Sequence, residues 1–335
     1  VLTFALRRLV WAVVLLAITT LVTFGIFFGV PRLAGQTTAE LATGYVGRDP
    51  SPQAIAAVTA KLHLDDSIYL QYGRFVKGIV AGEDYRFGPE AEHCPAPCLG
   101  YSFKTHQPVW PQIKDRLPIT VSLAAGAAVF WLVGGVGVGV LSALRRGSAL
   151  DRAAMATALA GVSLPIFFTG LLSLALFSYK LGWFPDVHYV GLRDDPLLWA
   201  RNLTLPWITL AFLYAALYAR LTRSSMLEAM GEDFIRTARA KGLRERQVVT
   251  RHALRASLTP ILTIFGLDLG LLLGGAFLTE STYSLPGIGK FAVDAVTGKD
   301  LPAILGVTLV GAFFVVIANF LVDVMYAAVD PRVRT

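Results

Sequence analysis

The chain has 335 residues, 55% of them hydrophobic and only 16% charged, with a mean hydropathy of +0.58. Soluble domains carry about 25% charged residues, so an ordinary water-soluble globular protein is excluded. The net charge of +7 invites a nucleic-acid reading. The basic residues, however, cluster in links between apolar runs, where Lys and Arg report membrane topology.

Six runs reach the roughly 20 apolar residues that a bilayer crossing needs: 9–30, 117–144, 153–179, 202–219, 256–279 and 301–321. The fourth is the shortest and contains Pro206; the fifth alone holds a charge, Asp268. The first is too long for the apolar core of a cleaved signal peptide, and no small-x-small cleavage site follows it. Arg7 and Arg8 precede it, and Arg145, Arg146 and Arg152 fill the link after the second run. Nine Lys/Arg against four Asp/Glu give the link after the fourth run, 220–255, a net charge of +5; Arg332 and Arg334 close the chain. With six spans these basic segments fall on one side, which predicts cytoplasmic termini and places 31–116 outside.

The outer segment 31–116 balances nine basic against nine acidic side chains. Periodicity predicts short helices over 53–64 and 68–80, too little for an independent enzyme domain, and a small lid is the economical reading. The two cysteines of the chain, Cys94 and Cys98, lie here in His93-Cys-Pro-Ala-Pro-Cys98. An oxidising compartment permits a bridge between them. Free thiols or a metal site with His93 are the alternatives, although four-ligand zinc spacing is absent. Gly134, Gly135, Gly137 and Gly139 in the second run, and Gly266, Gly270 and Gly274 in the fifth, are read as close helix packing rather than a pore. Ser148-Ala-Leu-Asp151 fits a capping box that opens the third span.

Between the fourth and fifth runs, Glu232 and Asp233 stand at the start of a short helix and Arg239 and Lys241 at its end. The helix dipole favours that order, and Gly242 supplies a left-handed stop. Met226, Met230, Phe234 and Ala238 recur every four residues as an apolar stripe with basic flanks. Such a helix suits docking on a soluble partner or lying on anionic lipid.

The sequence chooses between these through a resemblance. Arg236-Thr-Ala-Arg-Ala-Lys-Gly242, followed after nine residues by His252-Ala-Leu-Arg255, resembles the loop by which ABC-importer permeases grip their ATPases, in the variant of the peptide/opine/nickel uptake group. Of the general loop pattern only Ala238, Gly242 and Leu254 remain. Phe4-Ala-Leu-Arg-Arg-Leu9, Gln107-Pro-Val-Trp110, Arg116-Leu-Pro118, Leu144-Arg-Arg-Gly147, Thr279-Glu-Ser-Thr-Tyr-Ser-Leu-Pro-Gly-Ile-Gly289 and Asp330-Pro-Arg332 resemble the B-type subunit of that group. The likeness covers nearly the whole chain in order; the insert around 90–99 stands outside it. It implies an all-α integral membrane protein of the type I importer permease fold. Residues 1–30 would form the first span, 31–116 an extracytoplasmic subdomain, and 117–335 the core with coupling loop 220–255.

The resemblance further implies a non-catalytic subunit in a bacterial inner membrane. Its partners would be a second permease, two ATPases that carry ATP and Mg, and an extracytoplasmic binding protein that delivers peptide. Glu232, Asp233, Phe234, Ile235, Arg236, Ala238, Arg239, Lys241 and Gly242 would couple to the ATPase. No phosphate-binding loop occurs in this chain: Gly287-Ile-Gly-Lys290 lacks both the upstream glycine and the Ser/Thr. Asp268 and Asn319 are candidate pathway residues. Nickel or opines are alternative cargoes, and no span holds a His. An ion-coupled carrier would need more titratable groups at mid-membrane than Asp268. A membrane hydrolase would need a partnered nucleophile or base, and His63, His93, His106, His188 and His252 are scattered.

Overall fold

The structure, a computed structural model, describes residues 2–46, 51–61, 64–87, 90–102, 104–184 and 187–329. His63, the closing motif 330–332 and Arg334 lie outside the described residues. In chain order the elements are α1 (Leu2–Phe24), α2 (Val30–Leu33), α3 (Thr38–Val46), α4 (Pro52–Lys61), α5 (Ile68–Ala81), β1 (Glu83–Phe87), β2 (Glu90–Cys94), β3 (Tyr101–Ser102), β4 (Gln107–Pro108), α6 (Val109–Trp131), α7 (Gly137–Leu144), α8 (Ala149–Ser163), α9 (Ile166–Ser173), α10 (Pro196–Gly231), α11 (Asp233–Ala240), α12 (Glu245–Gln247), α13 (Leu254–Leu273), α14 (Phe277–Thr282), α15 (Ile288–Gly298) and α16 (Leu301–Val329). Wide π turns join α1 to α2 and α6 to α7.

Lipid offers backbone groups no partners, so a spanning segment must satisfy them internally, and the apolar runs become helices. Among the described residues, Leu6–Leu33, Val109–Leu144, Pro196–Gly231, Glu245–Leu273 and Leu301–Val324 are long and apolar enough to cross a bilayer. A sixth crossing exists if α8 and α9 count as one span, and three details depart from the sequence reading.

The third run is not one straight helix: α8 and α9 meet at 103°. Pro165 follows Leu164, which is extended at φ −88°, ψ 128°, the conformation a residue before proline favours. The fourth run, expected to be the shortest, lies within a 36-residue helix that contains Pro206. At 1.5 Å per residue that helix is about 54 Å long, well beyond the hydrocarbon core. The fifth helix stops at Leu273 instead of continuing to 279, so Gly274 falls outside it and only Gly266 and Gly270 of the expected stripe are buried within α13.

The chain divides into two compact units. The first comprises residues 1–120, 273–277 and 286–320. Its core gathers Val109 and Ile113 of α6 with Ile288 and Phe291 of α15 and Ala303 and Leu305 of α16. The Ser102 hydroxyl donates to buried Asp300 at 2.5 Å, and Thr120 accepts from the Ile288 N–H at 2.9 Å. The helices expected at 53–64 and 68–80 occur as α4 and α5. The sequence reading missed α3 and the antiparallel pairing of β1 with β2, in register from Glu83 opposite Cys94 to Phe87 opposite Glu90.

Cys94 and Cys98 form the expected disulfide, with Cα atoms 5.5 Å apart, and both are buried beside Tyr85 and Tyr101. A non-reduced digest should therefore yield peptide 87–104 two hydrogens lighter than its reduced form. Alkylation of both thiols without reductant would contradict the bridge. A loop this short restrains the unfolded chain little, so the bridge should fix local shape more than global stability.

The second unit comprises residues 121–272, 278–285 and 321–335. Its central helix is α10, against which α7, α8 and α9 pack. The packing is close because glycines face it: a Cβ on Gly135 would stand 2.8 Å from the Ala215 carbonyl oxygen, and one on Gly139 would stand 2.6 Å from the Thr222 Cβ. The packing reading holds for these two glycines, whereas a Cβ on Gly134 or Gly137 would meet nothing.

Candidate functional site

Helix α10 ends where Glu232 turns extended at φ −72°, ψ 152°. The chain re-enters a helix at once as α11, eight residues long, with Asp233 in its first turn and Arg239 in its last. The expected stop is present: Gly242 has φ +73°. Its N–H bonds the Arg239 carbonyl at 2.9 Å, and the Leu243 N–H bonds that of Ala238 at 3.3 Å. This paired arrangement satisfies the last carbonyls of the helix.

The break at Glu232 resets the helical phase, so the expected four-residue stripe does not form one face. Ile235 and Ala238 point inward, buried in the unit's own core with Met226, Ala229, Val248 and Ala253. Ala238 is therefore not part of an outward apolar face, contrary to the sequence reading. Phe234 does face outward and is 44% exposed. Glu232, Asp233, Arg236, Arg239, Lys241 and Gly242 are exposed as well. The helix is thus seated from below by two small-to-medium apolar side chains and presents one aromatic ring among charges.

Arg236 lies 3.2 Å from Asp233 on its own helix. Arg239 grips Glu245 with two bonds, of 2.7 and 3.1 Å, across the Gly242 turn. That carboxylate raises the Arg239 pKa above its already high ordinary value. Both partners are exposed, and such pairs contribute little to stability. The pairing spans the turn, and Arg236 and Lys241 are exposed beside it.

Sequence reasoning missed the clamp behind this platform. Ser148 caps α8 as expected, accepting from the Asp151 N–H at 3.2 Å. The Asp151 carboxylate does not complete the box. It accepts instead from the Gly147 N–H at 2.8 Å and from the Ser142 hydroxyl. Arg223 of α10 donates to both its oxygens, Nε at 2.7 Å and a terminal nitrogen at 2.9 Å. This two-pronged pair, its carboxylate buried and its guanidinium partly exposed, ties the α7–α8 turn to the stretch of α10 just before Met226. The partners are 72 residues apart, so no local pattern announces them.

Asp268 lies on α13, partly buried, and accepts a 2.8 Å hydrogen bond from the Tyr218 hydroxyl of α10. Trp131 stacks on Tyr214 at 4.8 Å between ring centroids and stands 6.2 Å from Tyr218 and from Phe265. Asn319 is exposed on α16, in the first unit. Tyr283, in the stretch that resembled the family at 279–289, bonds Ser173 at 2.5 Å and Thr209 at 2.6 Å through its hydroxyl. Among the described residues, no group of three or more His, Cys, Asp and Glu gathers as a metal site.

The chain is thus a multi-span helical membrane protein with a charge-ordered short helix at the end of α10. Residues 135–335 match the family described as binding-protein-dependent transport system inner membrane component, and residues 1–124 match the N-terminal domain of such membrane components. The chain belongs to this family, an all-α permease of the type I ABC-importer class. That family is one of binding-protein-dependent transport components, not of ion-coupled carriers.

Its relatives include the di/tripeptide transport system permease protein DppB of Pseudomonas aeruginosa, 38% identical over 353 residues and 99% of both chains. The dipeptide transport system permease protein DppB of Escherichia coli is 35% identical over 354 residues, covering 99% of this chain and 98% of that one. The protein of the same name from Alkalihalophilus pseudofirmus is 35% identical over 353 residues and 99% of both chains. Among solved structures, a chain of the MetNI methionine ABC transporter, in a study of its inward-facing conformations, aligns at a TM-score of 0.49. The identity is 19%, over 66% of this chain and 97% of that one, a likeness too slight to carry an argument.

Proposed function

We propose that the chain is one of two permease subunits in an ATP-driven importer of short peptides. A second, homologous permease completes the pathway, two ATPases bind on the cytoplasmic side, and a binding protein delivers cargo from outside. The proposed peptide cargo is supported by relatives named for dipeptides and di/tripeptides that align over nearly their whole length. ATP and Mg belong to the partner ATPases, since this chain has no phosphate-binding loop. In this reading the protein lies in the inner membrane of a bacterium, and the basic links support cytoplasmic termini, a cytoplasmic 220–255 and an outer lid at 31–116.

The observation that carries the coupling role is α11. Its inward side, Ile235 and Ala238, is locked to the body of the second unit, and its exposed residues include Phe234, Arg236, Lys241 and the acids at its start. A helix fixed on one side and aromatic-and-charged on the other suits a groove in a soluble partner: a partner that moves α11 must move α10 with it. Asp268 and Asn319 are the proposed pathway residues.

Assembled with its partners in sealed vesicles, the chain should support ATP-dependent accumulation of a dipeptide. The purified chain alone should neither bind nor hydrolyse ATP. Intrinsic ATPase activity of the single chain, or a complete complex that accumulates nickel and no peptide, would refute this reading.

A further inference from the structure

Asp268 is an acid in a membrane-spanning helix, partly buried, with no cation within ion-pair distance among the described residues. An intramembrane carboxylate is costly unless it faces water or a positive partner. The surroundings say which kind of partner fits. Tyr214 and Tyr218 stand one turn apart on α10, and Phe265 and Asp268 nearly one turn apart on α13. The two pairs share Trp131 of α6 as a common neighbour. Trp131 and Tyr218 are fully buried, whereas Tyr214, Phe265 and Asp268 are partly exposed. The result is an aromatic floor with a carboxylate at its rim.

One carboxylate oxygen takes the Tyr218 hydroxyl, which fixes the acid's orientation and leaves the second oxygen to receive another donor. Aromatic faces attract cations, and a carboxylate does so more strongly. Among the described residues, the same wall has no basic side chain to bind a carboxylate in return. Such a wall selects a compact ammonium group rather than an anion.

We propose that Asp268, oriented by Tyr218 and walled by Trp131, Tyr214 and Phe265, is a transient receptor for the free amino terminus of the peptide in transit. This rests on the peptide reading above. It assigns one end of the cargo, the end every unmodified peptide shares, so it gives general rather than side-chain selectivity. The peptide's side chains meet no demand here.

The test uses the whole complex in vesicles with saturating loaded binding protein, comparing wild type, Asp268→Asn and Asp268→Glu. The Asn variant keeps the size and the Tyr218 contact but loses the charge. It should accumulate dipeptide about tenfold or more slowly, on the scale of a lost buried charge contact, while ATPase stimulation by the binding protein stays within about twofold of wild type. The Glu variant should recover most of the transport. Three results overturn the proposal: Asn transporting like wild type, Asn losing assembly or ATPase stimulation, or Glu failing as badly as Asn. Loss of assembly would mark Asp268 as a structural partner of a cation on the second permease. If the wild-type complex accumulates no dipeptide at all, the peptide reading itself fails, and this assignment with it.

Discussion

Arg223→Met should reduce the yield of folded, assembled complex several-fold. Asp151 would keep the Ser142 hydroxyl and the Gly147 N–H but lose both bonds to the guanidinium, leaving a buried carboxylate without its countercharge. Breaking one side of a buried ion pair is far more damaging than removing both sides, and modest losses of stability change cellular abundance several-fold. The double variant Asp151→Leu with Arg223→Met should therefore be recovered in clearly higher yield than Arg223→Met alone. Yield and thermal stability of the purified complex measure this directly. If Arg223→Met behaves like wild type, or the double variant is worse than the single, the pair is not the clamp that fixes α10 beneath the loop helix.

The neighbouring residues Phe234 and Ile235 should fail in opposite ways. Ile235 is fully buried, and truncating such a residue to Ala costs about 2–5 kcal/mol, so Ile235→Ala should destabilise the subunit itself. Phe234 is an exposed ring on the isolated chain, and Phe234→Ala should leave the subunit's own stability nearly unchanged. At an interface, a buried aromatic anchor is often worth over ~1 kcal/mol, so the loss appears only in the complex. It should take the form of weakened ATPase binding, or ATP hydrolysis that no longer drives transport. Gly242→Val meets no neighbour within 4 Å, so its cost is the left-handed backbone alone, roughly 1–2 kcal/mol. It should loosen the end of α11 and uncouple the complex partially. The stability of the lone subunit against the transport-to-hydrolysis ratio of the complex separates these cases. Equal behaviour of the Phe234 and Ile235 variants in both assays would contradict the two-sided helix.

The spans were legible because lipid enforces a simple rule of length and apolarity, and six apolar runs, five of them uncharged, met it. Their bends were less so. Hydropathy sees Pro165 and Gly275 as tolerated residues, whereas the 103° break between α8 and α9 falls at the first, and α13 ends just before the second, whose φ is +132°. The loop helix was legible from its charge order and Gly242. Its orientation was not, because the extended residue Glu232 resets the phase between Met230 and Phe234. A four-residue count that ran through this break placed Ala238 on the outward face. The disulfide followed from two nearby cysteines, but the β1–β2 hairpin beside it is too short for its alternation to stand out. The Asp151–Arg223 clamp and the aromatic wall near Asp268 join distant helices, which no local pattern encodes.

The most direct test of the central claim places a cysteine at position 234 in the assembled complex and asks what a short thiol cross-linker captures. The account predicts an ATPase subunit as the captured partner, with the yield changing when nucleotide closes the ATPases, and a much lower yield from a cysteine at position 235. Capture of lipid only, or equal capture from both positions without response to nucleotide, would show α11 to be a membrane-surface helix and contradict its role in coupling.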